Sequence, residues 1–360
     1  MKILVIMKRF GANKDMVMEN FGRQVRLFEA LSKFGHEIDF LCPDYTKHEN
    51  KNVSKAGIRY FIRPYSIFSH FKFVKQLESM ILQNNYEVIV GSTDPLIGIL
   101  GYHYSKKFKV KYVYDMQDEY SCYDTYKIPF VKYFDRAAVK NSDIVLTVSD
   151  SLNKYISKFR KKPIYTIQNG INLDSFFKIN KEKARKILRL PKGKIMIYVG
   201  EISKFKGVDL LVDAFKKVKK KLSDSYLLLS GKIIDVVIKQ DKSIIYEEYP
   251  KREEVITALN AADIAVIPNK KNVFSEYCFP YKLLEYMAIN LPIVATNLGD
   301  VTLLLKNYKG SLCQPDNADD LSEKILAKLN YGKKSDYGKI VKNFEWKILA
   351  KKLNNVLKSD

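Results

Sequence analysis

The sequence is poor in the residues that build disulfide frameworks and metal sites. Its 360 residues include four cysteines and four histidines, which are Cys42, Cys122, Cys278, Cys313, His36, His48, His70 and His103. None has the C-x-x-C or H-x-x-x-H spacing that marks a zinc site. No D-x-D pair, which would anchor a metal-clamped nucleotide, occurs either. We therefore expect reduced cysteines and no metal or other cofactor.

The signatures of several common protein classes are also missing. Neither G-x-G-x-x-G nor G-x-x-x-x-G-K-[ST] occurs, which weighs against dinucleotide-binding dehydrogenases and P-loop proteins. The G-x-S-x-G elbow of the α/β-hydrolases is absent too. We find no helix-turn-helix, zinc-finger or RRM signature and expect no nucleic-acid partner.

The sequence has no run of 18 or more apolar residues, so no helix is expected to span a membrane. The first residues, MKILVIMKRFG, have an apolar run too short for the core of a signal peptide and no small-residue cleavage site. We interpret this stretch as a β-strand and predict a cytoplasmic location.

Positive charge, by contrast, is abundant. There are 62 Lys+Arg against 40 Asp+Glu, a net charge of +22, and the excess is spread over both halves of the chain. A nucleic-acid binder usually concentrates such charge on one face. Much of it is therefore interpreted as solvated surface, with attraction to an anionic membrane or to anionic substrates as a second interpretation.

Apolar strand-like runs alternate with amphipathic helical patterns, which is typical of α/β folds with parallel sheets. The rhythm begins at KILVIM (2–7) and restarts at KIMIYVG (194–200). We predict two Rossmann-like, doubly wound domains, residues 1–168 and 169–344, facing each other across a cleft. A C-terminal helix at about 345–360 is predicted to pack back on the first domain.

In the second half, a glycine-bounded loop is the first candidate site. Gly200 ends a strand, a short basic loop follows, and Gly207 opens a helix. A cation beside a helix N-terminus suits a diphosphate, because point charge and aligned N–H dipoles act together. Lys206 is the better-placed cation and Lys204 the second, although both could be ordinary surface lysines.

The second candidate site is the stretch SEYCFPYKLLEYMAINLPIVATNLGDV (275–301). Pro280 is predicted to start a helix that carries Lys282 and Glu285. The loop before Pro280 is expected to present free backbone N–H groups toward the cleft. Glu285 could accept hydrogen bonds from two vicinal hydroxyls, such as those of a ribose.

The sequence resembles the retaining glycosyltransferases of family 4, which have the GT-B fold, over nearly its whole length. The resemblance is carried by DRAAVKNSDIVLTVSDSLNKYI (135–156), IQNGINLDSF (167–176), YVGEISKFKGVDLLVDAF (198–215), ADIAVIP (262–268) and FPYKLLEYMAINLPIVAT (279–296). It implies transfer of a sugar from a nucleotide-diphosphate donor, with retention of configuration and without a metal.

The resemblance also implies roles for individual residues. Lys206 would neutralise the donor diphosphate as a catalytic cation, and Glu285 would bind the ribose. In the first domain, the loop at Gly22 would approach the phosphate and Asp118 would lie beside the sugar. The backbone of residues 277–279 would hold the sugar and the phosphate; these residues are Tyr277, Cys278 and Phe279.

The chain departs from the family pattern at three places. The Arg that usually follows the strand-end glycine is Glu201 here, so Lys204 is a candidate substitute. The first glutamate of the family pattern, eight positions before Glu285, is Tyr277. The N-domain loop has one glycine, Gly22, where two adjacent glycines are usual.

We therefore predict an enzyme that moves a hexosyl unit from a UDP- or GDP-sugar to a cell-surface glycan or a lipid-linked acceptor. Two other hypotheses stay open: a GT-B epimerase or phosphorylase, and a non-catalytic scaffold subunit that binds sugar nucleotides. Glu201 and Tyr277 make the scaffold credible. Turnover of the donor, even slow hydrolysis, separates an enzyme from a scaffold.

The stretch RPYSIFSHFKFVKQLESMI (63–81) interleaves aromatic and basic residues. Phe71, Val74, Leu77, Met80 and Ile81 fit the core face of a helix, and that is the simpler interpretation. Aromatic residues off this stripe, Tyr65, Phe68 and Phe73, together with Arg63, Lys72 and Lys75, favour a second one. In it the segment docks on anionic lipid at the cytoplasmic face of the membrane, beside the entry of a lipid-linked acceptor.

Overall fold

The computed structural model describes residues 1–11, 14–238, 241–331 and 335–359. These residues form two compact units. Unit 1 comprises Met1–Gly170 together with Trp346–Asp360, and unit 2 comprises Ile171–Glu345. The last helix of the chain therefore belongs to the same unit as the first strand.

Unit 1 is built on a sheet of eight strands. Its strands in chain order are β1 Lys2–Ile6, β2 Phe10–Gly11, β3 Lys14–Asp15, β4 Glu37–Asp44, β5 Lys51–Lys55, β6 Ile58–Pro64, β7 Val88–Ser92, β8 Lys111–Met116, β9 Ile144–Thr147 and β10 Ile164–Thr166. The large sheet has the order β10-β9-β8-β7-β1-β4-β6-β5, and β2 pairs with β3 separately. Among the described strands of the large sheet, β5 and β6 pair antiparallel and the other pairs are parallel.

The helices of unit 1 cover this sheet. They are α1 Arg23–Ser32, α2 His70–Asn84, α3 Pro95–Phe108, α4 Val131–Asn141, α5 Asp150–Ser157 and α14 Trp346–Lys358, with 3₁₀ turns at Tyr120–Cys122 and Asp124–Lys127. Apolar residues of β1 share one core with Phe28 of α1 and with Leu349 and Leu353 of α14. A buried hydrogen bond of 2.9 Å between His36 and Asn354 joins the same two regions of sequence. The helix α14 thus completes the core of unit 1.

Unit 2 has a sheet of six parallel strands in the order β13-β12-β11-β14-β15-β16. The strands are β11 Lys194–Val199, β12 Ser225–Ser230, β13 Ile244–Tyr246, β14 Ile264–Ile267, β15 Ile293–Thr296 and β16 Leu312–Cys313. The helices are α6 Lys181–Ile187, α7 Val208–Lys221, α8 Arg252–Ala261, α9 Val273–Tyr277, α10 Tyr281–Ala288, α11 Gly299–Leu305, α12 Ala318–Tyr331 and α13 Gly338–Lys342, after a 3₁₀ turn at Leu173–Ser175. The apolar runs of the sequence become its buried central strands.

The alternation of strands and helices is confirmed, with local differences. The strands β2, β3, β5 and β16 and the helices α6, α9 and α13 were not predicted. The pattern of residues 127–140 predicts one long helix, but α4 begins at Val131, after the 3₁₀ turn at Asp124–Lys127. Within the described ranges, no helix is long and apolar enough to cross a bilayer.

The core face of α2 differs from the expected stripe. Phe73, Leu77, Met80 and Ile81 are buried, whereas Phe71 is 78% exposed. The Phe73 ring packs edge-on against Tyr65 at 5.1 Å. The prediction that Phe71 lies in the core and Phe73 outside it was therefore wrong.

Candidate functional site

In unit 2, two glycines bring the carboxyl ends of β11 and β12 into close contact. Gly200 and Gly231 follow these strands with φ angles of 130° and 134°, which residues other than glycine rarely adopt. A Cβ atom on Gly231 would lie 2.1 Å from the Gly200 carbonyl oxygen. The two strand ends can therefore approach only because both residues are glycine.

The loop after Gly200 is fixed by its own polar groups. The Ser203 hydroxyl donates to the Glu201 carboxylate at 2.8 Å, which keeps that carboxylate within the loop. The Lys204 N–H donates to Asp235 at 2.8 Å, and the Lys204 side chain is exposed. Gly207 has φ 75° and packs so tightly on the Pro268 carbonyl that a Cβ would lie 2.0 Å from its oxygen. These contacts set the start of α7.

Lys206 is held at the end of this loop by aromatic rings. Its ammonium lies 3.6 Å from the centroid of the Phe274 ring and 5.2 Å from that of Phe205. A cation over the face of a ring is attracted by the negative face of the π system. Because Phe274 belongs to α9, this contact places the Lys206 ammonium beside that helix.

The side chain of Lys282 on α10 also reaches the end of β11, close to Lys206. Its ammonium lies 3.8 Å from the centroid of the Tyr198 ring and 2.9 Å from the position that a Cβ of Gly200 would occupy. Burial, and after it the nearby charge of Lys206, lower the pKa of Lys282 to about 7. Glu285, Cys278 and Glu201 act in the opposite direction.

Glu285 lies one turn after Lys282 and is largely buried, with 23% of its side chain exposed. Burial raises its pKa, which the nearby charges of Arg252 and Lys282 oppose. Arg252 lies 3.6 Å from the carboxylate and also stacks on Phe176 at 4.9 Å. The Glu285 carboxylate is thus positioned between two cations.

The segment 277–279 differs from the expectation of a loop with free N–H groups. The Cys278 N–H donates to the Phe274 carbonyl at 2.8 Å and closes the helix α9, so that prediction was wrong for Cys278. Phe279 is buried, and its ring packs on Phe344 with centroids 5.3 Å apart. The structure places Tyr277 at the end of α9.

In unit 1, the structure places Gly22 at the N-cap of α1 with φ 92°. The Asp118 carboxylate accepts a hydrogen bond of 2.6 Å from the Tyr123 hydroxyl. A buried ion pair next to Gly22 was not predicted from the sequence: Arg23 lies 2.9 Å from Asp115 and donates to the Gln168 carbonyl at 2.6 Å. A charged residue directly after an N-cap glycine, at the start of an apolar helix face, is the signal that could have indicated it.

The donor-side candidates come together in unit 2: Gly200, Lys206, Lys282 and Glu285 surround the carboxyl end of β11. The Val199 N–H donates to the Tyr286 hydroxyl at 3.1 Å, which ties α10 to that strand end. Among the residues that the structure describes, no group of three or more His, Cys, Asp or Glu could hold a metal ion. The end of β11 thus carries two ammonium groups and a carboxylate that could accept hydrogen bonds from hydroxyl groups.

Two family models cover most of the chain. The model of the glycosyl transferases group 1 matches residues 180–344, and that of Glycosyltransferase Family 4 matches residues 24–175. The chain belongs to the group 1 glycosyltransferases of family 4. The resemblance noted from the sequence motifs is thereby confirmed.

Relatives of this glycosyltransferase include an uncharacterized glycosyltransferase, MJ1178, of Methanocaldococcus jannaschii, 28% identical over 55% of this chain and 53% of the relative. The chain thus spans about half the length of that relative. The capsular polysaccharide biosynthesis glycosyltransferase CapM of Staphylococcus aureus is 24% identical over 92% of this chain and 93% of its own length.

Among solved structures, HepE of Anabaena in complex with UDP-glucose is similar over the full length of both chains. Its TM-score is 0.75 at 14% sequence identity. At this identity the similarity concerns the fold, and the predicted two-domain GT-B fold is confirmed.

Proposed function

We propose that this glycosyltransferase moves a hexosyl unit from a UDP- or GDP-sugar to a cell-surface glycan or a lipid-linked acceptor, with retention of configuration and without a metal. The observation that carries the proposal is the pair of ammonium groups, Lys206 and Lys282, beside the Glu285 carboxylate at the end of β11. Two cations at one strand end suit a diphosphate, and a carboxylate one helical turn away suits vicinal hydroxyls.

The chemistry follows from charge. The bond between the anomeric carbon and the diphosphate oxygen breaks with both electrons going to oxygen, which leaves an oxocarbenium-like sugar. Negative charge then grows on the diphosphate, and a fixed cation at that place stabilises the transition state more than the ground state. Removal of one such group typically costs about 10² to 10³ in rate. Lys206 is the residue to which we assign this role.

The names of similar proteins support this choice of substrates. The HepE structure holds UDP-glucose, which is a nucleotide-diphosphate sugar. CapM is named for capsular polysaccharide biosynthesis, and a polysaccharide is a glycan. We carry both to this chain as the proposed class of donor and the proposed class of acceptor.

A lipid-linked acceptor and attachment to the cytoplasmic face of a membrane are part of the proposal. Ile67 and Phe68, just before α2, are 89% and 98% exposed, and Phe71 in its first turn is 78% exposed. Lys72 and Lys75 are on the same helix, Lys72 on an exposed position next to Phe71. Apolar side chains with lysines beside them are what an interfacial helix presents to anionic lipid.

A thermal-shift panel of UDP-, GDP- and ADP-sugars tests the donor class. A ligand that binds only the folded chain stabilises it by about 2.7 kcal/mol at a hundredfold excess over Kd. This stabilisation is seen as a higher Tm. Release of free sugar or nucleotide from the stabilising donor, measured with and without glycan acceptors, then tests catalysis. Stabilisation by none of the three donors would contradict the proposal.

A non-catalytic scaffold is the second candidate, because Glu201 replaces the Arg that family members carry after the strand-end glycine. A donor that binds but is neither transferred nor slowly hydrolysed would favour the scaffold over the enzyme.

A further inference from the structure

The loop after Gly200 supplies a carboxylate where the family pattern has a cation. Glu201 is exposed, and its carboxylate accepts the Ser203 hydroxyl at 2.8 Å. Its backbone carbonyl accepts the Tyr198 hydroxyl, also at 2.8 Å. These two hydrogen bonds hold Glu201 in place. Lys204, the candidate substitute in the same loop, is exposed, whereas the ammonium found directly beside Gly200 is that of Lys282.

The ammonium of Lys282 occupies the space directly over Gly200. It lies 2.9 Å from the position of a Cβ at Gly200, so a side chain there would displace the ammonium. The Tyr198 ring supports it from the strand side at 3.8 Å. Lys282 comes from α10, which the Val199–Tyr286 hydrogen bond ties to the end of β11.

We propose that Lys282 replaces the missing cation after Gly200, binds the donor diphosphate together with Lys206, and takes up a proton when the donor binds. The proposal rests on the function proposed above, in which Lys206 and Lys282 face the diphosphate, and adds a coupling of donor binding to pH. Donor binding is then strongest in the pH range where Lys282 is already charged.

The groups around Lys282 explain why its proton is loosely held without a donor. Burial and the neighbouring Lys206 lower the pKa of Lys282 to about 7, and the attraction of nearby acidic groups does not restore its ordinary value. These groups are Glu201 in the loop, Cys278 before α10 and Glu285 on α10 itself. Arg252 of α8 further offsets Glu285 at 3.6 Å, and the Tyr198 phenol stays neutral because burial raises its pKa.

The sign of the pH dependence follows from linkage. A diphosphate beside Lys282 favours the charged ammonium and raises its pKa in the complex. Donor affinity is therefore highest below the pKa of Lys282 in the free protein, and it falls as the pH rises above about 7. The phosphates of a nucleotide sugar are diesters that stay charged throughout this range, so the donor itself contributes no such change.

Titration calorimetry with UDP-glucose, GDP-mannose and ADP-glucose at pH 6 and pH 8.5 tests the proposal. For the donor that binds, we expect Kd to be roughly thirtyfold weaker at the higher pH. In buffers of different ionisation enthalpy, binding at pH 8.5 should take up about one proton. A Kd that is constant across this range, without proton uptake, would overturn the proposal.

Three variants identify the group. Lys282→Met should bind the donor weakly at both pH values, and Lys282→Arg, which keeps its charge, should bind without pH dependence. Lys216→Met is the matched control, because Lys216 is an exposed lysine on α7 paired with Asp213. The control should keep the pH dependence of the unaltered protein. Tm values measured without ligand show that each variant is folded.

The outcomes separate this proposal from the proposed function. If the unaltered protein binds none of the three donors at pH 6, the donor site itself is wrong and both proposals fail. If it binds a donor but Lys282→Met binds equally well, the role of Lys282 is refuted, and the proposed transferase stands with Lys206 as its diphosphate cation. If Lys282→Arg does not fold, Lys282→Met still decides between these results.

Discussion

Replacement of Lys206 by alanine should remove most transfer activity and leave the fold intact. The side chain is half-buried at the end of a loop, and its ring contact with Phe274 is worth about 0.5–1 kcal/mol at such a site. That loss corresponds to a Tm decrease of less than about 4 °C in a unit of this size. The loss of a cation at the leaving group, by contrast, should lower kcat/KM by about 10² to 10³, or roughly 3–4 kcal/mol.

The structure adds a second expected result for the same variant. Lys206 is one of the two causes that lower the pKa of Lys282. Without it the pKa of Lys282 should rise, and the remaining donor binding should persist to higher pH than in the unaltered protein. The assay is donor turnover over a pH series, with circular dichroism and Tm as measures of folding.

Lys216→Ala serves as the control, because it removes an exposed lysine from α7 and changes no group near Gly200. If Lys206→Ala keeps more than about a tenth of the original kcat/KM, a loss below about 1.4 kcal/mol, the assignment of the leaving-group cation is refuted. A Tm decrease much larger than expected would instead show that Lys206 acts on the fold.

The remaining predictions concern the nucleotide, the metal and the membrane. Glu285→Ala should weaken nucleotide binding more than it slows the reaction of the bound donor. The expected result is a larger change in KM than in kcat. Chelators should leave the rate unchanged, and strict dependence on Mg²⁺ or Mn²⁺ would contradict the metal-free mechanism. The protein should float with anionic vesicles at low salt and not at high salt. Combined substitution of Arg63, Lys72 and Lys75 by glutamate should abolish flotation, and unchanged binding would remove the membrane from the proposal.

The parts of the fold that follow from local pattern could be predicted from the sequence. The runs at β1 and β11 are apolar on both faces, as buried parallel strands must be, and they identify the two α/β halves. The face of α2 could not be fixed in this way. Phe71 stands three positions before Val74 and Phe73 four positions before Leu77, so both fit a helical stripe, and the packing of Phe73 on Tyr65 decides between them.

The sequence indicated which residues form the candidate site, but it did not indicate the lowered pKa of Lys282. The family resemblance indicated Lys206 and Glu285, and Lys282 was a candidate on the same predicted helix as Glu285. The state of Lys282 depends on contacts with Tyr198 and Gly200, more than 80 positions earlier in the chain. Such contacts exist only after the sheet has formed, which is why the sequence alone indicates a lysine and not its acidity.

The placement of α14 in unit 1 has a consequence for how the chain folds as it is synthesised. Domains generally fold as they leave the ribosome, N-terminal first. Here the core of unit 1 lacks Leu349 and Leu353 until residues 346–358 have emerged, after all of unit 2. The apolar face of α1 that they cover stays open to water during that interval. A nascent chain stalled before residue 346 should therefore bind chaperones through unit 1, even when unit 2 has already folded.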